Sequence, residues 1–359
     1  MSRGEPSVSY EVLDEALERL ALFGPDLRNG MTSHAPMAAE ALCALGRPDA
    51  VIPWVERYRK GMLPPPPRVE RILRERWRDA LSKEDRFGDW SAFFREELEG
   101  ASWRDVLERW VARLAPGICA AATHGVLRVG HAARSLGVGE TRLRRDELAA
   151  ALASWAATYQ ELPTSLADTG AAPSAREALL RVALVPPERR RFSGTIVSAL
   201  AGLSEWPAFA PAIGLLDVAG DPARCVADVA EAFAQAYLEN ARDVLGAIVF
   251  VHGVTSVAAV GNLLPHLEEA TARRALRYAW QAGCGLYATF GHPAERRDQG
   301  PPSEPASDEG WDALVARAVA HGDEHAIKFA EACLRLDHER PSPAYAAAVR
   351  QALATLPRA

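Results

Sequence analysis

Lysine is nearly missing from this chain: of 41 basic residues only Lys60, Lys83 and Lys328 are lysines. Arginine keeps its charge almost everywhere, whereas lysine can lose it, so each surviving lysine carries more information than usual. Cysteine is scarce as well. Cys43, Cys119, Cys225, Cys284 and Cys333 are odd in number and without CxxC spacing, so they read as buried thiols of a reducing cytoplasm. There is no excess of positive charge; the net value of −6 argues against non-specific binding to nucleic acid or anionic membrane. The longest apolar run, Val244 to Val254, is interrupted by His252 and reads as too short to span a bilayer. Glu5, Glu11 and Asp14 sit where a signal peptide would need an apolar stretch, so none is expected. Phosphate cradles are lacking too. Gly137-Val138-Gly139 is half of a GxGxxG without a strand before it, and neither a Walker A nor a GxSxG motif occurs. A flavin or NAD(P) enzyme is therefore disfavoured, and redox chemistry would need a metal or a substrate that activates oxygen itself.

What is present is helix-forming sequence. Ala, Leu, Arg and Glu dominate, convincing alternation is absent, and 48% of residues are hydrophobic, enough for a sizeable core. We expect an all-α chain, a single multi-helix globular domain over residues 1–359 with a buried metal site and about fifteen helices. Expected segments include Pro36–Leu45, Arg68–Leu81, Ala120–Leu136, Ala241–Val260, Leu263–Gln281 and Asp323–Leu336, with Asp49 and Ser102 as helix caps. Pro64–Pro67 reads as a stiff connector, Pro163–Pro173 as a loop, and Pro293–Gly310 as a mobile loop or lid.

Among nine histidines, His34, His124 and His252 lie among apolar or small residues, where a buried ring demands hydrogen bonds or a metal. His34 follows an Asn29-Gly30 turn and precedes Pro36, which places it at a helix N-terminus. The helix dipole favours neutral imidazole there, the form that ligates metals. Helping to cap the helix is the alternative. His124 and His131 are seven apart, about 10 Å along a helix, so they do not readily share an ion and His131 becomes a supporting or pocket residue. His321-Gly322-Asp323-Glu324-His325 matches the HxxEH of inverted zinc proteases, but Gly322-Asp323 reads as the end of one helix and the cap of the next. Segments 123–129 and 251–257 share His-Gly-Val-x-x-Val, by chance or as paired helices that each offer a histidine to one centre.

In order along the chain, four stretches resemble the signatures of the questin oxidase-like family: Ser33-His34-Ala35-Pro36-Met37-Ala38-Ala39-Glu40, Thr123-His124-Gly125-Val126-Leu127-Arg128 with His131-Ala132-Ala133-Arg134, Val251-His252-Gly253-Val254, and Asp323-Glu324-His325-Ala326-Ile327-Lys328. The resemblance implies an oxygen-dependent oxidoreductase acting on a small aromatic polyketide such as an anthraquinone, with O2 as co-substrate and oxidative ring opening, a Baeyer–Villiger-like or C–C cleavage step, as the reaction. It also implies a mononuclear non-heme iron held by His34, His124, His252 and His325, with Lys328 as a fifth ligand. An ammonium has no lone pair to give, so a ligating Lys328 must be neutral, or be carbamylated by CO2 into an anionic oxygen donor. The plain alternative is a solvated Lys328 paired with Glu324 or Glu331. A planar substrate calls for apolar walls beside the metal, chosen from Trp54, Tyr58, Trp280, Tyr287 and Phe290, each of which could equally be ordinary core. A zinc hydrolase built on His321, Glu324 and His325, and a non-catalytic helical binding protein, remain as competing readings.

Overall fold

The structure, a computed structural model, describes residues 8–165, 172–292 and 309–359. The proposed lid at 293–310 and the centre of the 163–173 loop therefore lie largely outside the described residues. Fifteen α-helices are seen among the described residues, with no strand. They are α1 (Val8–Leu20), α2 (Ala35–Ala44), α3 (Pro48–Tyr58), α4 (Phe87–Gly100), α5 (Trp103–Leu114), α6 (His124–Val138), α7 (Arg142–Ala157), α8 (Ala175–Leu180), α9 (Ile196–Ala201), α10 (Pro222–Asn240), α11 (Val244–Leu263), α12 (Glu269–Phe290), α13 (Trp311–His321), α14 (Glu324–Glu339) and α15 (Pro343–Thr355).

Local chemistry explains most of these boundaries. Ser102 caps α5 by accepting from Asp105 N, and Asp323 caps α14 by accepting from His325 N and Ala326 N. Asp49 is not a cap; it lies in the first turn of α3, behind Pro48. The helix expected over Arg68–Leu81 is not formed. Asp89 Oδ1 accepts from Val69 N at 2.7 Å and Glu70 N at 2.9 Å, a side-chain competitor for backbone donors that a helix would need. Only a 3-10 stretch, Arg74–Ala80, follows. Pro265 ends α11 in a short 3-10 turn, Leu264–His266, so α12 starts at Glu269 rather than Leu263.

Two apolar clusters carry the fold. The larger includes α4–α7 and α10–α12, with Trp90, Phe93, Phe94 and Trp110 meeting mostly edge to face; the smaller joins α1–α3 to Val315 and Ile327. Helix α11 is buried on every face from Val249 to Val260. Its length and composition, taken alone, suffice to cross a bilayer, contrary to the reading from the longest apolar run, Val244 to Val254, but 72% of its most apolar window is buried inside the protein.

Contacts fix the relative direction of four helices. His34 meets His124, and six to seven residues further on Glu40 meets His131, so α2 and α6 run in parallel. His124 meets His252, and a Cβ at Gly130 would lie 2.7 Å from Ala259 O, so α6 and α11 also run in parallel and at close approach. Helix α14 follows, with His325 beside His34 and Arg335 donating to Ala258 O. Four parallel helices thus meet at one place, three of them (α2, α6 and α14) at their starts and α11 near its middle.

Candidate metal centre

That place holds four imidazoles. His34 is the N-cap of α2, His124 the first residue of α6, His252 lies in α11, and His325 is the second residue of α14. All four are buried. Ring centroids are 4.4 Å apart for His34–His124, 4.6 Å for His34–His325, 4.7 Å for His124–His252 and 5.6 Å for His252–His325. The two His-Gly-Val segments lie side by side, each giving one ring.

Proton positions follow from the backbone. His124 Nδ1 lies against Ala121 O, and His252 Nδ1 against Ile248 O at 2.6 Å. A carbonyl accepts only, so both rings carry their proton on Nδ1 and leave Nε2 bare. Those two bare nitrogens stand 3.3 Å apart, and His34 Nε2 is 2.6 Å from His124 Nε2. Facing lone pairs repel and make a ready seat for a cation. A proton is disfavoured, because burial first, and Lys328 next, pulls His34 and His124 down, His124 to about 3. Burial and then His124 lower His252 as well. Two nitrogens each bound at about 2.1 Å to one ion stand about 3.0–3.4 Å apart, a range that includes the His124–His252 pair; the His34–His124 spacing is tighter. His34 Nδ1 is buried without a partner, and the His34 side chain makes no capping hydrogen bond. The donor set fits a metal ion.

The turn before His124 is unusual. Ala121, Ala122 and Thr123 have φ of 46°, 56° and 74°, three successive left-handed residues without a glycine, at a cost of roughly 1–2 kcal/mol each. This turn is what brings Ala121 O beneath the His124 ring. Composition alone reads Ala120–Thr123 as helix, which is why the expected start of α6 is four residues early.

Other side chains hold the frame. Tyr58 stacks on Trp54 with centroids 4.7 Å apart. The Tyr58 hydroxyl accepts from His34 N at 3.0 Å, and Trp54 Nε1 donates to Gly322 O at 2.7 Å. They thereby tie the starts of α2 and α14. Gly322, at φ 81°, ends α13, and His321 Nε2 turns to Leu356 O at 3.2 Å; the HxxEH residues are split between two helices. Trp280 stacks on Phe233 and donates to Ala212 O, Tyr287 is buried in α12, and Phe290 meets Phe192.

Lys328 is 2% exposed, and burial pulls its amine down to about 8 against the pull of Glu324 and Asp323. Glu324, outside the ligand set that the family resemblance implies, joins His34 and His325 in a group whose donor atoms all lie within 4.8 Å of one another. His131 sits two turns away from His124, with Nδ1 2.6 Å from Glu40 Oε2. Tyr10 and Arg134 also bind Glu40, and Arg134 reaches on to Glu331. This second polar layer was invisible in the sequence because its members come from four segments up to 321 residues apart in number.

A family model described as questin oxidase-like matches residues 34–333. The chain belongs to the questin oxidase-like family. The match begins at His34 and includes all four clustered histidines together with Lys328. A search of curated proteins finds no match.

Proposed function

We propose that this questin oxidase-like protein is a non-heme iron, O2-dependent oxidoreductase that opens a ring of an aromatic polyketide of the anthraquinone type. The observation that carries the reading is the pair of bare Nε2 atoms of His124 and His252, 3.3 Å apart inside a cluster of four buried imidazoles. His34, His124, His252 and His325 would hold the ion. Imidazole sets suit several metals; iron is preferred because the family is one of oxidases and the chain has no flavin or nicotinamide motif. Bound there, iron supplies the one-electron chemistry that ground-state O2 needs.

The residues of the chain do the rest. The N-terminal ends of α2, α6 and α14 face the cluster, and their dipoles favour anionic groups beside it. Trp54 and Tyr58 fix the turns that carry His34 and His325. His131 is best seen as a positioning residue, acting through Glu40 on α2. Four neutral imidazoles leave the positive charge of an ion uncompensated. Lys328 would supply an anion by adding its neutral amine to CO2, forming an N–C bond and releasing one proton. Glu324 is the competing carboxylate.

Metal analysis after anaerobic loading with Fe(II), followed by O2-uptake assays with a hydroxyanthraquinone, tests the proposal. Expected are one iron per chain and uptake that needs both iron and substrate. Iron-loaded protein that consumes no O2 with any hydroxyanthraquinone would overturn it. For Lys328, a carbamate carbon signal after exposure to labelled CO2 is expected, lost in Lys328→Arg.

A further inference from the structure

A cleft, partly open to solvent, is lined by Ser33 and Pro36 at the start of α2 and by Arg128 of α6. It has a volume of about 470 Å³, within the usual range of about 300–1,000 Å³ for small-molecule pockets. Its walls include Leu17, Met62, Phe87 and the stiff run Pro65–Pro67, so most of what it offers is apolar and rigid. Two of its wall residues adjoin the metal centre in sequence: Ser33 precedes His34, and Arg128 lies one turn beyond His124. None of Trp54, Tyr58, Trp280, Tyr287 and Phe290 lines it.

Two charged pairs stand in this wall: Arg95–Asp146, long at 3.8 Å and open to solvent, and the buried pair Arg128–Glu147. Arg128 donates from Nε to Glu147 Oε1 at 2.6 Å and from Nη2 to Glu147 Oε2 at 2.8 Å, with side chains only 10% and 11% exposed. Desolvating such a pair costs as much as it returns, so stability alone does not explain it. Its chemistry is specific. The guanidinium keeps Nη1 to donate, and the carboxylate keeps lone pairs to accept. A hydroxyl beside a carbonyl on a flat ring system presents the matching acceptor and donor.

A smaller space of about 10 Å³, room for about one water, shares Leu17, Pro36 and Glu147 with the larger one and ends on Glu40 and His131. Leu17, Pro36 and Glu147 thus stand between the cleft and the second polar layer.

We infer that this cavity is the substrate seat, that it takes a planar aromatic bearing adjacent hydroxyl and carbonyl oxygens, and that Arg128 and Glu147 set its specificity. The inference rests on the oxidase reading for its substrate class, and its location is independent of the metal.

Equilibrium binding of 1,8-dihydroxyanthraquinone and of unsubstituted anthraquinone to the iron-loaded full chain tests it. The wild type should prefer the hydroxylated probe by about tenfold or more, the worth of one good polar contact pair. Glu147→Gln should erase most of that preference. Ala92→Phe and Ala150→Trp, which fill the cavity from α4 and α7, should weaken binding by at least about tenfold at unchanged iron content. Hydrogen-exchange protection by the probe should appear on the wild type at residues 17–24 and 87–95, which keeps the test open if a filled variant folds poorly. Protection confined to residues 280–290, or filled variants that bind within twofold of wild type, would overturn the inference and leave the oxidase reading standing. Absence of binding by either probe would also overturn it, while iron content and O2 uptake decide the oxidase reading separately.

Discussion

His124 and His252 point unprotonated Nε2 atoms at each other across 3.3 Å, because each has committed its Nδ1 proton to a backbone carbonyl one turn or less upstream. Neither ring can relieve the other by donating. Replacing either by Ala should remove most bound metal, below about a tenth of one ion per chain, since each lost ligand costs several kcal/mol of site energy. Metal analysis beside circular dichroism checks this. Full occupancy in His252→Ala with an intact helix signal would show that the ion is held elsewhere.

Close packing of α6 on α11 sets that separation. A methyl at Gly130 would sit 2.7 Å from Ala259 O and 2.9 Å from Ala259 Cβ. Gly130→Ala should therefore cost about 1–3 kcal/mol, as overpacking does, and push His124 away from His252. Urea unfolding and metal titration of the same variant should shift together. A variant as stable and as metal-rich as wild type would mean that the helices separate freely.

The left-handed turn offers the opposite test. Ala122→Gly removes a positive-φ penalty of roughly 1–2 kcal/mol and adds unfolded-chain entropy worth about 0.5–1 kcal/mol. A net gain of up to about 1 kcal/mol is expected, with weaker metal binding because Ala121 O is held less firmly under His124. Denaturation midpoints and metal dissociation constants read the two effects apart. Loss of stability would contradict the strained backbone.

Acid should weaken the protein through its second polar layer. Burial raises Glu40 and Glu331, but Arg134 outweighs it and holds both carboxyls below their ordinary 4.5. Their contribution is complete above that value and is lost as pH falls through the lower folded values. His131 is held below its ordinary 6.5 by burial, in spite of Glu40. The unfolded chain thus takes up this proton first, and stability declines as pH drops under 6.5 by up to about 1.4 kcal/mol per unit. Urea midpoints at about pH 7 and pH 5 should fall for the wild type and fall less for His131→Asn. Identical slopes would remove His131 from the account.

Much of this architecture could be read from the sequence. Helix-forming composition gave the class, and three histidines in apolar surroundings were marked because such rings need partners. Gly322-Asp323 was legible as a break, since a left-handed glycine followed by an aspartate cap is a local signal. What stayed hidden is tertiary. Nothing near Glu40 announces Tyr10, His131 and Arg134, and nothing in Ala121-Ala122-Thr123 announces a left-handed turn, because both are imposed by packing from elsewhere. The cleft beside Ser33 has no local sequence signal for the same reason: its walls are largely aliphatic side chains and prolines drawn from separate segments.

The spacing of the four histidines also bears on synthesis. His34 and His124 are separated by 90 positions and His124 and His252 by 128, and His325 follows His252 by a further 73. After His34, a further 291 residues must therefore leave the ribosome before the fourth ring can arrive. Until then α2, α6 and α11 hold at most a partial set, which binds an ion weakly. Capture of the proposed ion would then mark the end of folding rather than guide its early steps, and a product lacking α14 would hold only three of the four rings.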